Sequence, residues 1–146
     1  MEKFNVFSPE SPLSEVQIDC LADFLVSGLA EYGDPKCDVI KCLTYAMEGT
    51  KGPGGLVITS GNFLDLEAAL VVNHTGMSGY IPEHILVYFV VSQKRRGKGL
   101  GQRMLEFLLT KLEGGIALHV EPGNPAIRLY EKLGFANKYL EMRRSR

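Results

Sequence analysis

The amino-acid sequence predicts an α/β fold in which a central mixed, mostly antiparallel sheet carries helices on both faces. Two strand-like segments joined by the turn dipeptide Gly61-Asn62 predict an antiparallel hairpin in the first half of the chain. A strand–helix–strand unit follows over residues 84–120, and its two strands are expected to run parallel through a right-handed crossover. A length of 146 residues is enough for a hydrophobic core, so we expect a single domain over residues 1–146.

Two helices are predicted near the start of the chain. Ser14 and Gln17 have the spacing of a capping box, in which the side chain of each residue accepts a hydrogen bond from the backbone of the other. Gly33 is the expected stop of this first helix. Asp34 followed by Pro35 is typical of a cap and a first helical residue, and this pair predicts the start of the second helix.

The predicted strands are apolar or β-branched segments bounded by turn-forming residues. They are expected at residues 4–7, 56–60, 64 or 66 to 73, 84–91 and 116–120, with a last strand inside residues 135–142. The segment 84–91 is apolar on both faces, which is typical of a central strand that helices cover from both sides. A short helix is expected to begin at Asn124 and Pro125 and to end at Gly134.

A basic, glycine-rich turn follows the central strand and has the sequence QKRRGKGLG over residues 93–101. Gly97, Gly99 and Gly101 lack side chains, so a ligand can approach the backbone closely there. An amphipathic helix follows over residues 102–112, and the first N–H groups of a helix carry partial positive charge. The turn is therefore predicted to hold a phosphate or a diphosphate; the alternative is a plain strand–helix connection with solvated basic residues.

Composition and charge argue against several classes of function. The net charge is −1, so the chain as a whole is not built to bind nucleic acid or an anionic membrane. The three cysteines and three histidines are scattered without ligand spacing, which argues against a metal site and favours reduced thiols in a cytoplasmic protein. No apolar run approaches the roughly 20 residues of a membrane helix, and the start of the chain lacks the apolar core of a signal peptide.

Two segments in the second half of the chain resemble the GNAT family of N-acetyltransferases. The first, RGKGLG over residues 96–101, is similar to the family's acyl-CoA signature Arg/Gln-x-x-Gly-x-Gly/Ala. The second, over residues 118–135, combines LHVEPGNPA with LYEKLGF and is similar to the family's segment Leu-x-Val…Asn-x-x-Ala…Tyr-Glu-Lys-x-Gly-Phe. The resemblance extends over residues 84–142. It implies a GNAT-like fold and an acetyltransferase that uses acetyl-CoA as co-substrate and needs no metal.

The resemblance also implies which residues bind the co-substrate. The backbone of the turn is expected to hold the CoA diphosphate, and the end of the central strand is expected to pair with the pantetheine arm like an added strand. A backbone N–H of that strand would polarise the thioester carbonyl, and Asn124 would contact the pantetheine as well as cap a helix. The residues implied are Phe89, Val90, Val91, Arg96, Gly97, Lys98, Gly99, Leu100, Gly101, Asn124 and Tyr130.

Catalytic roles follow from the same resemblance. Tyr130 matches the family tyrosine that donates a proton to the departing CoA thiolate, a role that a phenol with a pKa of about 10 can fill. Related enzymes often place a carboxylate or a water chain near the start of the central strand to take a proton from the amine. Glu83 and His84 lie there in this sequence. Glu67 and His119 are the other candidates, and water alone is the remaining alternative.

The predicted reaction is transfer of an acetyl group to a primary amine by direct attack in a ternary complex. An acyl-cysteine is not expected, because none of the three cysteines lies in either motif. The acceptor is open between a small molecule, a peptide N-terminus and a lysine. One alternative is a non-catalytic acyl-CoA-binding module of the same fold. Another is nucleic-acid binding through residues 94–98 and 143–146, against which the net charge argues.

The acceptor side of the site is expected to be completed from elsewhere. Eleven residues follow Phe135, fewer than many family members use for two C-terminal strands. The N-terminal region or the second subunit of a homodimer is expected to replace the missing wall. Aromatic residues of the first two helices, the central strand and the loop over residues 74–82 either line this pocket or pack in the core. They are Phe24, Tyr32, Tyr45, Tyr80 and Tyr88.

Overall fold

A five-stranded mixed sheet forms the centre of the molecule. The computed structural model describes residues 3–146, so Met1 and Glu2, which begin the segment considered for a signal peptide, lie outside the described residues. The strands are β1 (Phe4–Phe7), β2 (Gly55–Ser60), β3 (Ala68–His74), β4 (His84–Val91) and β5 (Ile116–Leu118), in that spatial order. The helices are α1 (Glu15–Leu29), α2 (Lys36–Met47), α3 (Leu100–Lys111) and α4 (Ile127–Lys132). Neighbouring strands are antiparallel from β1 to β4 and parallel between β4 and β5, which confirms the predicted sheet.

The sheet separates two hydrophobic clusters, one on each face. The cluster under α1 and α2 contains Leu21 and Leu43, both fully buried. The cluster under α3 contains Met104 and Leu108, which are also fully buried. Burying both faces of the sheet under helices removes its apolar side chains from water, which is the main favourable contribution to folding. The prediction of helices on both faces is confirmed.

Strand β4 contains a bulge that puts Leu86 and Tyr88 on opposite faces of the sheet, although they are only two residues apart. Val71 of β3 pairs with Tyr88, whereas the next residue, Val72, pairs with Leu86, so Val87 is an extra residue in the β4 strand. Leu86 consequently packs in the α3 cluster and Tyr88 in the cluster under α1 and α2. The doubly covered central strand predicted from the sequence is therefore β4.

The start of α1 confirms the predicted capping box. The Ser14 hydroxyl accepts a hydrogen bond from the Gln17 N–H at 3.1 Å, and the Gln17 side chain accepts one from the Ser14 N–H at 2.9 Å. The predicted stop at Gly33 is wrong. Helix α1 ends at Leu29, its C-cap is Ala30 with φ of 49°, and a 3₁₀ turn over Ala30–Tyr32 leads to Gly33.

Asp34 does not cap α2, contrary to the prediction. The N-cap is Pro35, and no side chain among residues 3–146 caps this helix. The Asp34 carboxylate instead accepts a hydrogen bond of 2.6 Å from the hydroxyl of Tyr88, which is 7% exposed. A hydroxyl in such a buried position needs an acceptor, and this need outweighs the local preference for a cap.

The last strand predicted inside residues 135–142 is also wrong. No strand follows β5 in the described chain, and residues 137–146 contain no helix either. Tyr139, Leu140 and Met142 are 80%, 86% and 92% exposed, so their apolar side chains do not alternate between a buried face and an exposed one. A segment that buries neither face lacks the packing that stabilises an edge strand.

No helix in residues 3–146 is both long enough and apolar enough to span a membrane.

Candidate functional site

The parallel edge between β4 and β5 is open over most of the length of β4. The two strands pair only where His84–Leu86 face Ile116–Leu118. Within the described chain, residues 87–91 have no strand on that side. The sequence predicted a longer β5, over residues 116–120. Because β5 stops at Leu118, the chain diverges from β4 and leaves backbone groups without a sheet partner on one side of the central strand.

The alternation of backbone directions identifies the groups at this open edge. The Ser92 N–H donates to the Glu67 carbonyl at 2.8 Å, so Ser92 points its amide toward the β3 side. In an antiparallel pair consecutive residues alternate, so the amides of Phe89 and Val91 point away from β3 and toward the open edge. The Val91 carbonyl fits this direction, since it accepts a hydrogen bond of 3.0 Å from Arg96 Nε rather than one from β3. The amide of Val90 is directed to β3.

The glycine-rich turn places backbone N–H groups next to this edge. Gly97 and Gly99 have φ of 77° and 79°, a left-handed conformation that side-chain-bearing residues rarely adopt. The Lys98 carbonyl accepts a hydrogen bond of 2.9 Å from Arg103 Nη1. Carbonyl and N–H point in opposite directions across a trans peptide, so the Gly99 N–H faces away from Arg103. Helix α3 begins at Leu100, and no side chain in residues 3–146 caps it.

The cationic side chains of the turn bond mainly to the protein. Lys94 forms an ion pair with Asp65, and Arg95 forms one with Glu67 at 3.0 Å. Arg96 donates to Val91, as described above. Lys98 is exposed, so its ammonium group is available as a donor beside the backbone N–H groups of the turn. The residues that the sequence predicted for this part of the site, Arg96, Gly97, Lys98, Gly99, Leu100 and Gly101, lie together in it.

Tyr130 lies beside the end of β4. Its ring centroid is 6.3 Å from that of Phe89 and 5.8 Å from that of Phe135. Burial raises the pKa of Tyr130 to about 12, so the phenol stays protonated at neutral pH. Its hydroxyl has no hydrogen-bond partner within residues 3–146. Position and protonation leave this hydroxyl available to donate a proton to a bound molecule.

Asn124 lies just before α4 and is engaged in the turn there. Its side-chain oxygen accepts a hydrogen bond of 2.9 Å from the Ala126 N–H, and its carbonyl accepts one of 3.2 Å from the Ile127 N–H. The predicted start of the helix at Asn124 and Pro125 is close, but α4 itself begins at Ile127.

His84 lies at the opposite end of β4 from the turn and is part of a histidine pair. Its Nε2 lies 2.6 Å from the Glu113 carbonyl, which can only accept, so Nε2 carries a proton. Its Nδ1 lies 2.8 Å from Nδ1 of His74. In the neutral pair His74 therefore donates to His84. Burial and the nearby His84 lower the pKa of His74, while Tyr45 donates to the His74 carbonyl at 2.9 Å.

The other candidate bases lie in three different places. Glu83 accepts a hydrogen bond of 3.2 Å from the Gly115 N–H, near the paired part of β5. Glu67 is held by Arg95, and His119 is an exposed residue just beyond β5. The structure thus brings Tyr130, Phe89 and the turn together, and it places Glu83 and His84 at the other end of the strand.

Two residues of this region, His74 and Arg103, make contacts that the sequence did not predict. His74 was not expected beside His84, although both residues flank the loop of an antiparallel hairpin and pair in register. Arg103 was not expected under the turn, because its contact with Lys98 depends on the left-handed glycines. Five aromatic residues were expected either to line the acceptor pocket or to pack in the core. Phe24 and Tyr88 pack in the cluster under α1 and α2, the Tyr45 hydroxyl donates to the His74 carbonyl, and Tyr32 and Tyr80 are exposed.

No group of three or more histidine, cysteine or acidic side chains suited to a metal ion occurs in residues 3–146. The groups suited to bind a ligand are the backbone N–H groups of the turn and those of Phe89 and Val91 at the open edge. They suit an extended molecule with an anionic group at one end.

Comparison with known proteins identifies the fold and the family. A protein from Pyrococcus horikoshii OT3 is 26% identical with a TM-score of 0.65, over 96% of this chain and 93% of that one. A possible acetyltransferase from Clostridium difficile 630 is 16% identical with a TM-score of 0.68, over 99% and 98%. An aminoglycoside N-acetyltransferase in complex with CoA is 12% identical with a TM-score of 0.66, over 100% and 97%.

A sequence search of curated proteins gives no significant match. The family model described as the acetyltransferase (GNAT) domain matches residues 63–137, which is just over half of the chain and includes β3, β4, the turn, α3, β5 and α4. This is the region that carries both sequence motifs and the open edge. The chain therefore belongs to the GNAT acetyltransferase family.

Proposed function

We propose that this protein transfers an acetyl group from acetyl-CoA to a primary amine by direct attack in a ternary complex. The proposal rests mainly on the open edge of β4. This edge leads into a turn of left-handed glycines at the start of α3. An extended arm with a diphosphate at one end matches both parts of that surface. A structural relative with the same fold is described in complex with CoA, which supports this choice of co-substrate.

The turn would hold the diphosphate through backbone N–H groups. At Gly97 a β-carbon would meet nothing within 4 Å, so the backbone there is open to a ligand. The pantetheine arm would then lie along β4 as an added strand, with the exposed peptide groups of Phe89 and Val91 as its partners. Val90 would support the binding strand through packing rather than pair with the arm, because its side chain is 4% exposed and packs under α1. Asn124 would flank the other side of the arm.

The proposed reaction forms a C–N bond and breaks a C–S bond. The neutral amine attacks the thioester carbonyl carbon, whose oxygen is polarised by a β4 amide. The electron pair of the C–S bond leaves with sulfur, and Tyr130 donates its proton to the departing thiolate. The amine nitrogen releases one proton to a base. The phenolate of Tyr130 takes up one proton from water, so the reaction as a whole neither gains nor loses a proton.

We propose His84 as the group that takes the amine proton, with Glu83 as the alternative. Val87, where the open edge begins, is three residues from His84, which is about 10 Å along a strand. A chain of water molecules is therefore part of the proposal. Glu67 is less suited because Arg95 and Ser60 already bond its carboxylate. His119 is exposed and stays open as a further candidate.

Direct attack is preferred to an acyl-cysteine intermediate because Cys20, Cys37 and Cys42 lie on α1 and α2, outside the turn and the open edge of β4. Burial raises the pKa of Cys42 to about 12, so this thiol is not ionised at neutral pH. Cys42 also bonds Asn73 under α2 rather than facing the open edge. We also propose that the chain is a single cytoplasmic domain and that the N-terminal region or the second subunit of a homodimer completes the acceptor side.

The test is an amine panel with acetyl-CoA, read as free thiol, together with calorimetric titration of acetyl-CoA. Binding with amine-dependent thiol release supports the proposal. Binding without release for any amine would favour a non-catalytic acyl-CoA-binding module, an alternative that the engagement of both His84 ring nitrogens keeps open. No binding at all would overturn the proposal.

A further inference from the structure

Two ion pairs connect the basic turn to the segment between β2 and β3, and they differ in burial. In the Arg95–Glu67 pair the side chains are 33% and 28% exposed, whereas in the Lys94–Asp65 pair they are 59% and 64% exposed. Exposed ion pairs contribute little to stability because water and salt screen them, whereas a half-buried pair is screened less. The two pairs therefore offer a comparison within one turn.

Glu67 is fixed more firmly than a loop carboxylate. Its N–H donates to the Ser60 carbonyl at 2.8 Å, and its carbonyl accepts from the Ser92 N–H at 2.8 Å, so its backbone bridges the ends of β2 and β4. The Ser60 hydroxyl donates to its carboxylate at 3.3 Å. Gly61, with φ of 88°, leaves room for the Glu67 side chain, because a β-carbon there would stand 2.9 Å from Glu67 Cγ.

Arg95 transmits this fixed position to the turn. It is the last residue of the 3₁₀ turn Gln93–Arg95 and lies two residues before Gly97, where the left-handed backbone begins. Its Nη1 forms an ion pair with the Glu67 carboxylate at 3.0 Å. The next residue, Arg96, bonds the Val91 carbonyl at 3.0 Å. The start of the turn is thus attached to the sheet on both sides, and its backbone N–H groups are left to face the ligand.

Resting on the proposed function, we propose that Glu67 and Arg95 are positioning residues that hold the turn in its diphosphate-binding conformation without contacting the acyl donor. A group that is already held in its binding geometry loses less conformational entropy when the ligand binds. Loss of the pair should weaken binding of donors that contain a diphosphate. A donor without a diphosphate does not use the turn and should be unaffected.

The experiment compares Glu67→Gln and Arg95→Gln with the matched controls Asp65→Asn and Lys94→Gln. Calorimetry gives the dissociation constant for acetyl-CoA, and kcat/KM is measured for acetyl-CoA and for S-acetylpantetheine, which lacks the diphosphate. Thermal unfolding without ligand verifies that each variant folds. We expect the first two variants to lose acetyl-CoA affinity by about tenfold and the controls by less than about twofold.

The S-acetylpantetheine arm separates positioning from general damage. We expect kcat/KM for this donor to change by less than about twofold in all four variants. Equal losses for both donors, or an acetyl-CoA affinity that is unchanged or tighter in Glu67→Gln, would overturn the inference while leaving the proposed function intact. Absence of acetyl-CoA binding by the unmodified chain would overturn both.

Discussion

Gly101, in the first turn of α3, lies against the aromatic ring of Phe89 near the end of β4. A β-carbon on Gly101 would stand 3.0 Å from Phe89 Cζ and 3.2 Å from Val91 Cγ2. The glycine therefore sets how closely the helix that follows the turn approaches the strand with the open edge. Any larger side chain at this position acts on both parts of the proposed acetyl-CoA site at once.

Replacing Gly101 with valine should separate α3 from β4. We expect a loss of about 1–3 kcal/mol in the free energy of unfolding, because overpacking forces neighbouring side chains to shift. Gly101→Ala should be closer to neutral, since alanine gains up to about 1 kcal/mol in helix propensity over glycine. Urea denaturation measures both, with the exposed Glu106→Val as control. Equal stability of the valine and alanine variants would contradict the tight contact.

Replacing Tyr130 with phenylalanine should slow turnover and leave binding intact. General acid catalysis contributes about 10²-fold or more, so kcat should fall by about that factor while the dissociation constant of acetyl-CoA stays within about twofold. The pKa of about 12 also predicts that Tyr130 is not the group that titrates in an alkaline limb of the rate profile below about pH 10. Tyr139→Phe, at an exposed position, is the matched control. Full activity of Tyr130→Phe would remove the general-acid role.

The His74–His84 pair should make stability depend on pH. Burial of His74 and its neighbour His84 lower the pKa of His74, while the charge of Glu10 acts in the opposite direction. The unfolded chain therefore binds this proton at a higher pH than the folded chain. The stabilisation is complete above the unfolded pKa of about 6.5 and is lost as the pH falls from there through the folded pKa.

Urea midpoints at about pH 7.5 and about pH 5.5 measure this loss. We expect the urea midpoint to be lower at the more acidic pH than at the higher one. This decrease in the midpoint should be smaller in His74→Asn. His119→Asn removes an exposed histidine and should leave the fall unchanged. A fall of the same size in His74→Asn as in the unmodified chain would show that other groups cause it.

The hydrogen bond from Tyr88 to Asp34 should behave as a coupled pair. Asp34→Ala leaves a buried hydroxyl without an acceptor and should cost about 1–3 kcal/mol, whereas Tyr88→Phe should cost about 1 kcal/mol because water can solvate the exposed Asp34. The double variant should then be about as stable as Tyr88→Phe alone. Denaturation of all three measures the coupling, and strictly additive costs would contradict it.

Much of the fold could be predicted from local pattern. The capping box at Ser14 depends on residues three positions apart, and the β2–β3 hairpin was predicted from two apolar segments on either side of the turn dipeptide Gly61-Asn62, so neither needs tertiary information. Asp34 was misassigned for the opposite reason. Its sequence neighbours favour a helix cap, but the hydroxyl of Tyr88, 54 residues away, donates a hydrogen bond to its carboxylate. Residues 135–142 were misassigned because apolar content alone does not supply a partner strand.

The turn was predicted as a unit because glycine spacing, basic charge and the helix start are adjacent in sequence. What could not be predicted was the length of β5, since pairing depends on how the chain after α3 approaches β4. The open edge follows from that length. The His74 contact and the Glu67–Arg95 contact were missed because each joins residues from segments that approach only after the sheet forms.

In the proposed complex, acetyl-CoA lies along the open edge of β4 with its diphosphate on the turn. Residue-resolved amide hydrogen exchange, measured by NMR with and without saturating acetyl-CoA, tests it most directly. We expect new protection of the Phe89 and Val91 amides and of the amides over residues 97–102, with little change at the Val90 amide, which already faces β3. Unchanged exchange at Phe89, Val91 and the turn, or protection confined to another part of the chain, would contradict it.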